Sequence, residues 1–140
     1  MTIKLICIAQ HKVSEWWPRI GEMATEAMLT SQGKYTGEDM FSCAALRKVQ
    51  FWVGIDEEDD IKLFGITQII DFPSNRVCEV LCVTGKQKEL WEDKMADLEA
   101  WAKHNNCNLM ELYARPGWER PMKKQGYERT HTILNKKLGE

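Results

Sequence analysis

The last third of the chain constrains its fold more than any other stretch. Residues 77–83, VCEVLCV, form a short and almost wholly apolar strand candidate. TGKQ follows. Residues 88–103 then carry Leu90, Trp91, Met95, Leu98, Trp101 and Ala102 at spacings of three and four. That spacing predicts an amphipathic helix, with Glu92, Asp93, Lys94, Asp97, Glu99 and Lys103 on its polar face. His104-Asn105-Asn106 marks its stop, and residues 107–114, CNLMELYA, read as a second strand. Such a unit has the length of a right-handed crossover between parallel strands. It buries both faces only in a layered sheet with helices against it.

The preceding segments fit such a sheet. Residues 2–9 read as the first strand. Val13–Met28 has the apolar spacing of a helix, and Pro18 suggests a start close to it, with Trp16 and Trp17 at its beginning. That pair reads as core and edge packing, with a groove wall as the functional alternative. Residues 38–48 predict a short second helix. Residues 50–55 and 62–70 read as two strands of an antiparallel hairpin, separated by the run DEEDD. The run reads as a solvated hairpin tip rather than a cation site. DFPSNR then breaks the strand pattern. After residue 114 comes a turn and a short helix, and residues 128–138 read as a last strand.

Composition narrows the function classes. The 140 residues suffice for one ordinary core and are few for two, so residues 1–140 are expected to form a single domain. With 44% apolar and 29% charged residues, the chain as a whole is not of the disordered class. A net charge of -2 gives no general pull toward nucleic acid or anionic membrane. The five cysteines are odd in number and include no CxxC pair, which suggests free thiols in a reducing compartment. Cys78 and Cys82 lie four apart on one strand and are expected on one face. Three scattered histidines do not complete a zinc site, so no metal is expected. No apolar run reaches the roughly 18 residues of a membrane span, so the expected location is the cytoplasm.

Residues 121–127 read PMKKQGY, and a polar segment ending NKKL follows. With the order strand, helices, hairpin, strand, helix, strand, short helix, strand, this resembles the GCN5-related N-acetyltransferase (GNAT) family over nearly the whole chain. The resemblance implies an α+β fold, a mixed central sheet with helices on both faces. It implies acetyl-CoA as cofactor, with the main chain of Leu81, Cys82 and Val83 along the pantetheine arm. Gly85, Lys86, Gln87 and Lys88 fall at the pyrophosphate loop. Glu79 and Glu111, on the two strands of the crossover, are the candidate acid and base.

Two departures from the family pattern stand out. The loop reads KQKELW, and Gln87, Glu89 and Trp91 occupy positions where the family has small residues. Bulk or negative charge there is expected to hinder phosphate, which needs close backbone N–H groups. Met122 falls where the family carries a tyrosine near the coenzyme sulfur, and a thioether has no proton to give. Two functions therefore stay open. One is an acetyl-CoA-dependent N-acetyltransferase with a degenerate coenzyme loop, acting on a small amine. The other is a GNAT-like interaction or structural protein without cofactor, by resemblance a bacteriophage virion component, located in the host cytoplasm or the virion. Arg115, Trp118 and Arg120, in RPGWER, are the candidate anchor for a protein partner.

Overall fold

Five strands pair in chain order in the computed structural model, which describes residues 2–85 and 88–139. They are β1 (Lys4–Cys7), β2 (Gln50–Ile55), β3 (Ile61–Asp71), β4 (Arg76–Gly85) and β5 (Leu109–Leu112). The first four are antiparallel neighbours, and β5 lies parallel to β4. Helices α1 (Val13–Met28) and α2 (Gly37–Ala45) cover one face. Helix α3 (Lys88–His104) covers the other, and the short α4 (Glu119–Lys123) brings Met122 beneath it. The mixed α+β sheet and the β4–α3–β5 crossover are as the sequence predicts.

Strand alternation sorts the two cores. Phe51, Val53, Phe64 and Ile66 turn toward α1 and α2 with Ile20, Ala24 and Met40. Trp52, Leu63 and Val80 turn toward Trp91, Met95 and Leu98 of α3. Aromatic contacts tie the helices to the sheet. Trp17 stacks on Phe51 at 6.1 Å and meets Phe41 edge-on at 4.9 Å, while Trp52 meets Trp101 edge-on at 5.0 Å. Trp16 packs partly buried at the edge of the α1 core, with the Arg19 guanidinium 4.9 Å from its ring centre. Thr36 and Asp39 close a reciprocal capping box at the start of α2.

Several boundaries differ from the sequence reading. Helix α1 starts at Val13, not near Pro18, because a 3-10 turn at Gln10–Lys12 feeds directly into it. Pro18 therefore sits inside the helix and leaves one carbonyl without its usual N–H. β5 is shorter than residues 107–114, and β4 is longer than 77–83. Residues 128–138 form no strand. The chain past Tyr127 is exposed, because a strand needs a neighbour to complete its ladder and none lies beside it among the described residues. Cys78 and Cys82 do not share a face. The β3–β4 register runs Thr67↔Val80 and then Ile66↔Cys82, so Leu81 is a bulge. Cys78 packs with Ala102 and Cys107 on the α3 side, whereas Cys82 packs against the α1 core.

The DEEDD run is a turn that satisfies itself. The Asp56 carboxylate accepts the N–H groups of Glu58 and Asp60, and Asp59 meets Arg19. Those amides, Asp60 first, hold the Asp56 carboxyl below its ordinary range. No acidic, histidine and cysteine cluster fit for a metal occurs among the described residues. No helix among them is long and apolar enough to cross a membrane.

Two predictions follow from this packing. A Cβ on Gly65 would lie 3.0 Å from the Trp91 ring. That ring cannot swing aside, because its indole N–H donates to the Thr84 carbonyl at 2.9 Å. Gly65→Ala should cost about 1–3 kcal/mol in urea unfolding, and clearly less in a Trp91→Phe background. The second concerns pH. Burial pushes the thiols of Cys78 and Cys82 from 9.0 up to about 12. The folded chain thus holds these protons where the unfolded chain has lost them. Their stabilising contribution is full below pH 9 and lost as pH rises toward 12. The urea midpoint should fall between pH 9 and 12, and Cys82→Ala should flatten that fall.

Candidate active site

The site is built where two parallel strands part. β4 and β5 pair at Val77↔Leu109, Cys78↔Met110, Glu79↔Glu111 and Val80↔Leu112. The Tyr113 N–H reaches the Val80 carbonyl at 3.0 Å, and there the ladder ends. β4 continues to Gly85 paired only with β3. The bulge at Leu81 falls at the parting point, where it bends β4 and raises its twist. The stretch from Leu81 onward therefore presents a strand edge to an open wedge. Two of the predicted arm residues, Leu81 and Cys82, turn their side chains to the α1 core, and Val83 turns to the α3 core.

The predicted carboxylates come together. Glu79 and Glu111 are register partners on neighbouring parallel strands, so both point to the α1 and α2 face. Glu79 is 6% exposed, one of two buried polar residues among those described, whereas Glu111 is half-buried. The Gln68 amide donates to Glu79 Oε1 at 2.7 Å. This bond orients the carboxylate.

Two residues near this pair carry no motif and were not anticipated. Tyr113 stands half-exposed just past β5. Its hydroxyl is pushed above its ordinary value by partial burial, and then by the charges of Glu79 and Glu111. Tyr35, from the loop between α1 and α2, adds a smaller push of the same sign and so lies nearby. The alternation that puts Glu111 on this face also puts Tyr113 there, and that was the available signal. Gln68 also lines an open recess of about 410 Å³ with Arg47, Lys48, Gln50 and Arg76. Arg76 is held by Asp71 at 2.9 Å and by the Asn105 carbonyl at 2.9 Å, while the Arg47 and Lys48 side chains are exposed.

The coenzyme-loop residues divide. Lys86 and Gln87 lie outside the described residues. Gly85 ends β4 and Lys88 begins α3. Trp91 does not obstruct the loop as its size had suggested. It is 1% exposed, turned under Gly65, and its indole ties the end of β4 to the first turns of α3. Glu89 is exposed in the first turn of α3, where a carboxylate suits the helix dipole and competes with a phosphate for it. Met122, at the family's tyrosine position, is 3% exposed in the α3 core. Arg115 precedes the 3-10 turn Pro116–Trp118, Trp118 is half-buried against that core, and Arg120 is exposed on α4. Past Val80 β4 has no β5 partner, and the first turn of α3 carries the negative charge of Glu89.

No protein-family model matches this sequence, and no curated protein sequence matches it. Solved structures do match its fold. Ribosomal-protein-alanine N-acetyltransferase from Brucella melitensis biovar Abortus 2308 has a TM-score of 0.68 at 13% identity, over 99% of this chain and 100% of that one. Glucosamine-6-phosphate N-acetyltransferase from Arabidopsis thaliana has a TM-score of 0.66 at 16% identity, over 99% and 100%. A predicted acetyltransferase from Clostridium acetobutylicum, solved with acetyl-CoA, has a TM-score of 0.70 at 15% identity, over 97% and 96%. The chain has the GNAT-like α+β fold of these acetyltransferases.

Proposed function

We propose that the chain is an acetyl-CoA-dependent N-acyltransferase acting at the parting of β4 and β5. The observation that carries this reading is the buried, oriented Glu79, one residue short of the point where the strands separate. Bound coenzyme supplies an activated acyl group. The main chain of Leu81, Cys82 and Val83 would hold its arm, and N–H groups on that edge would polarise the acyl carbonyl. By resemblance Gly85, Lys86, Gln87 and Lys88 would meet its anionic end, where the start of α3 would favour negative charge.

Glu79 takes the proton from the acceptor amine, directly or through a water, while Gln68 keeps the carboxylate aimed. Tyr113 takes the part that Met122 cannot. Its phenol stays protonated at neutral pH and holds a proton at the open end of the wedge. The acceptor approaches from the recess beside Gln68. Its cationic rim, from Arg47, Lys48 and Arg76, favours a small amine that carries an anionic group.

A second reading rests on Met122, buried where the family keeps its proton donor. The fold would then serve without cofactor as an interaction or structural protein, such as a bacteriophage virion component, with Arg115, Trp118 and Arg120 at its contact surface. A thermal-shift titration with acetyl-CoA separates the two. At 100 times the dissociation constant, binding should stabilise the chain by about 2.7 kcal/mol and raise its melting point by several degrees. No shift at millimolar coenzyme, with a co-purifying partner lost on Trp118→Ala, would establish the second reading instead.

The assignment of Glu79 is tested separately. Glu79→Gln should keep the coenzyme-induced shift and lower kcat/KM by about 100- to 10,000-fold. Tyr113→Phe should also keep the shift and lower kcat more than it changes KM. Full activity in Glu79→Gln would remove that residue from the chemistry.

A further inference from the structure

The hydrogen-bond chain at the start of β2 runs in one direction only. The Trp52 indole N–H can donate and cannot accept. It donates to the Thr67 hydroxyl oxygen at 2.9 Å. Thr67 is 1% exposed, so its own proton needs a protein acceptor, and it goes to Gln50 Oε1 at 2.8 Å. The Gln50 amide is therefore locked with its oxygen toward Thr67. Its NH2 group lies on the far side of the amide and has no acceptor among the described residues.

Gln50 is half-buried in the wall of the recess beside Gln68, so this NH2 group is a fixed donor there. β3 runs past the last partner that β2 offers. From Gln68 to Asp71 it pairs with β4 alone, so alternate main-chain N–H groups of that stretch face the recess side. Arg47 and Lys48 stand at the rim, both exposed and neither in an ion pair among the described residues. Arg76 is already held by Asp71. Among the described residues no carboxylate lines the recess. In a chain of net charge -2, this wall gathers donors and positive charge with no anion to answer them.

We propose that Gln50 is a specificity-determining residue: with Arg47 and Lys48 it takes a terminal oxyanion, carboxylate or phosphate, of a substrate whose amine lies at Glu79. Trp52 and Thr67 are positioning residues, since they decide which end of the Gln50 amide meets the ligand. An oxyanion accepts from an amide N–H, whereas a protonated amine only donates, so the locked polarity selects the first and rejects the second. Gln68 joins the two ends, because it lines the recess and donates to Glu79. Gln50 opposes Thr67 and Glu79 opposes Gln68, so two strand spacings, about 10 Å, lie between Gln50 and Glu79. The substrate is then an extended amine with its charges at opposite ends, not an α-amino acid. The amine end rests on the acyltransferase reading, and the oxyanion end stands without it.

Nuclear magnetic resonance on the isotope-labelled full chain, without coenzyme, tests this at the Gln50 side-chain amide. The probes share one spacer and differ at one end: ε-aminocaproate, the matching aminoalkyl phosphate, and the uncharged ε-aminocaproamide. At least one anion should move the Gln50 signal saturably, and the tighter of the two names the oxyanion. The uncharged probe should bind about 10- to 100-fold more weakly. Gln50→Glu still accepts from Thr67, so the fold is kept, yet it sets a like charge where the donor was. It should abolish the shifts of the neighbouring main-chain amides. Arg47→Ala or Lys48→Ala should each weaken binding by about 2- to 5-fold. With acetyl-CoA present, Gln50→Glu should lower the ratio of kcat/KM for the preferred anion to that for the uncharged probe by about 10- to 100-fold. A Gln50 signal unmoved by both anions overturns the proposal, as does equal binding of the uncharged probe or binding that survives Gln50→Glu. The expected binding in a chain that takes no acetyl-CoA would keep the oxyanion site and overturn its part in acceptor choice.

Discussion

One irregularity sets the geometry of this molecule: the extra residue at Leu81. Up to Val80 the strand is an ordinary inner member of a sheet, with β3 on one side and β5 on the other. The bulge bends it just where β5 has run out of partners, and the two parallel strands separate. A strand edge that opens inside a fold is costly, because its N–H and C=O groups must still be satisfied. Here the β4 edge past Val80 has no strand partner on the β5 side, and Glu79 sits one pair before the end of the ladder. Shape and chemistry therefore meet at one place for one reason. Without the bulge, β4 would stay flat against β5, and Glu79 would be a stray carboxylate in a closed sheet.

The same residue explains why periodicity misplaced Cys82. A spacing of four puts two side chains on one face only while the pleat is unbroken. One inserted residue shifts everything after it to the opposite side, and the apolar string VCEVLCV has too little polar contrast to show it. The long elements were legible because they repeat their signal. Helix α3 repeats its apolar spacing over four turns, and the hairpin around DEEDD announces itself by charge. The tail was misread because its residues favour extended backbone, yet no strand of the sheet pairs with them among the described residues. Local propensity cannot supply a neighbour.

Trp91 shows the difference between a residue's size and its direction. As one letter in the loop motif it looked like an obstacle to phosphate. On the helix it is an inward-facing core position, with Gly65 making room for its ring and Thr84 accepting its N–H. The indole thus works as a strut that holds the end of β4 against the start of α3, the two pieces that flank the loop. The glycine pattern of the family met one requirement, close approach of backbone to ligand. In this chain the corresponding space holds a different contact, between strand and helix. What still opposes an anion there is Glu89, a charge and not a volume.

Met122 and Tyr113 bear on the chemistry in the same way. A motif fixes a position in the sequence, but a proton donor is needed at a position in space. Met122 occupies the familiar place in the sequence and is packed into the α3 core. Tyr113 comes from the end of β5, with its hydroxyl held in the protonated form by partial burial and then by the charges of Glu79 and Glu111. In the proposed reaction Glu79 accepts the proton, while both carboxylates favour the protonated form of Tyr113. An acid and a base raised from adjacent strands need no loop motif to stay in register. Their separation is set by the sheet spacing itself, the most rigid ruler the fold has.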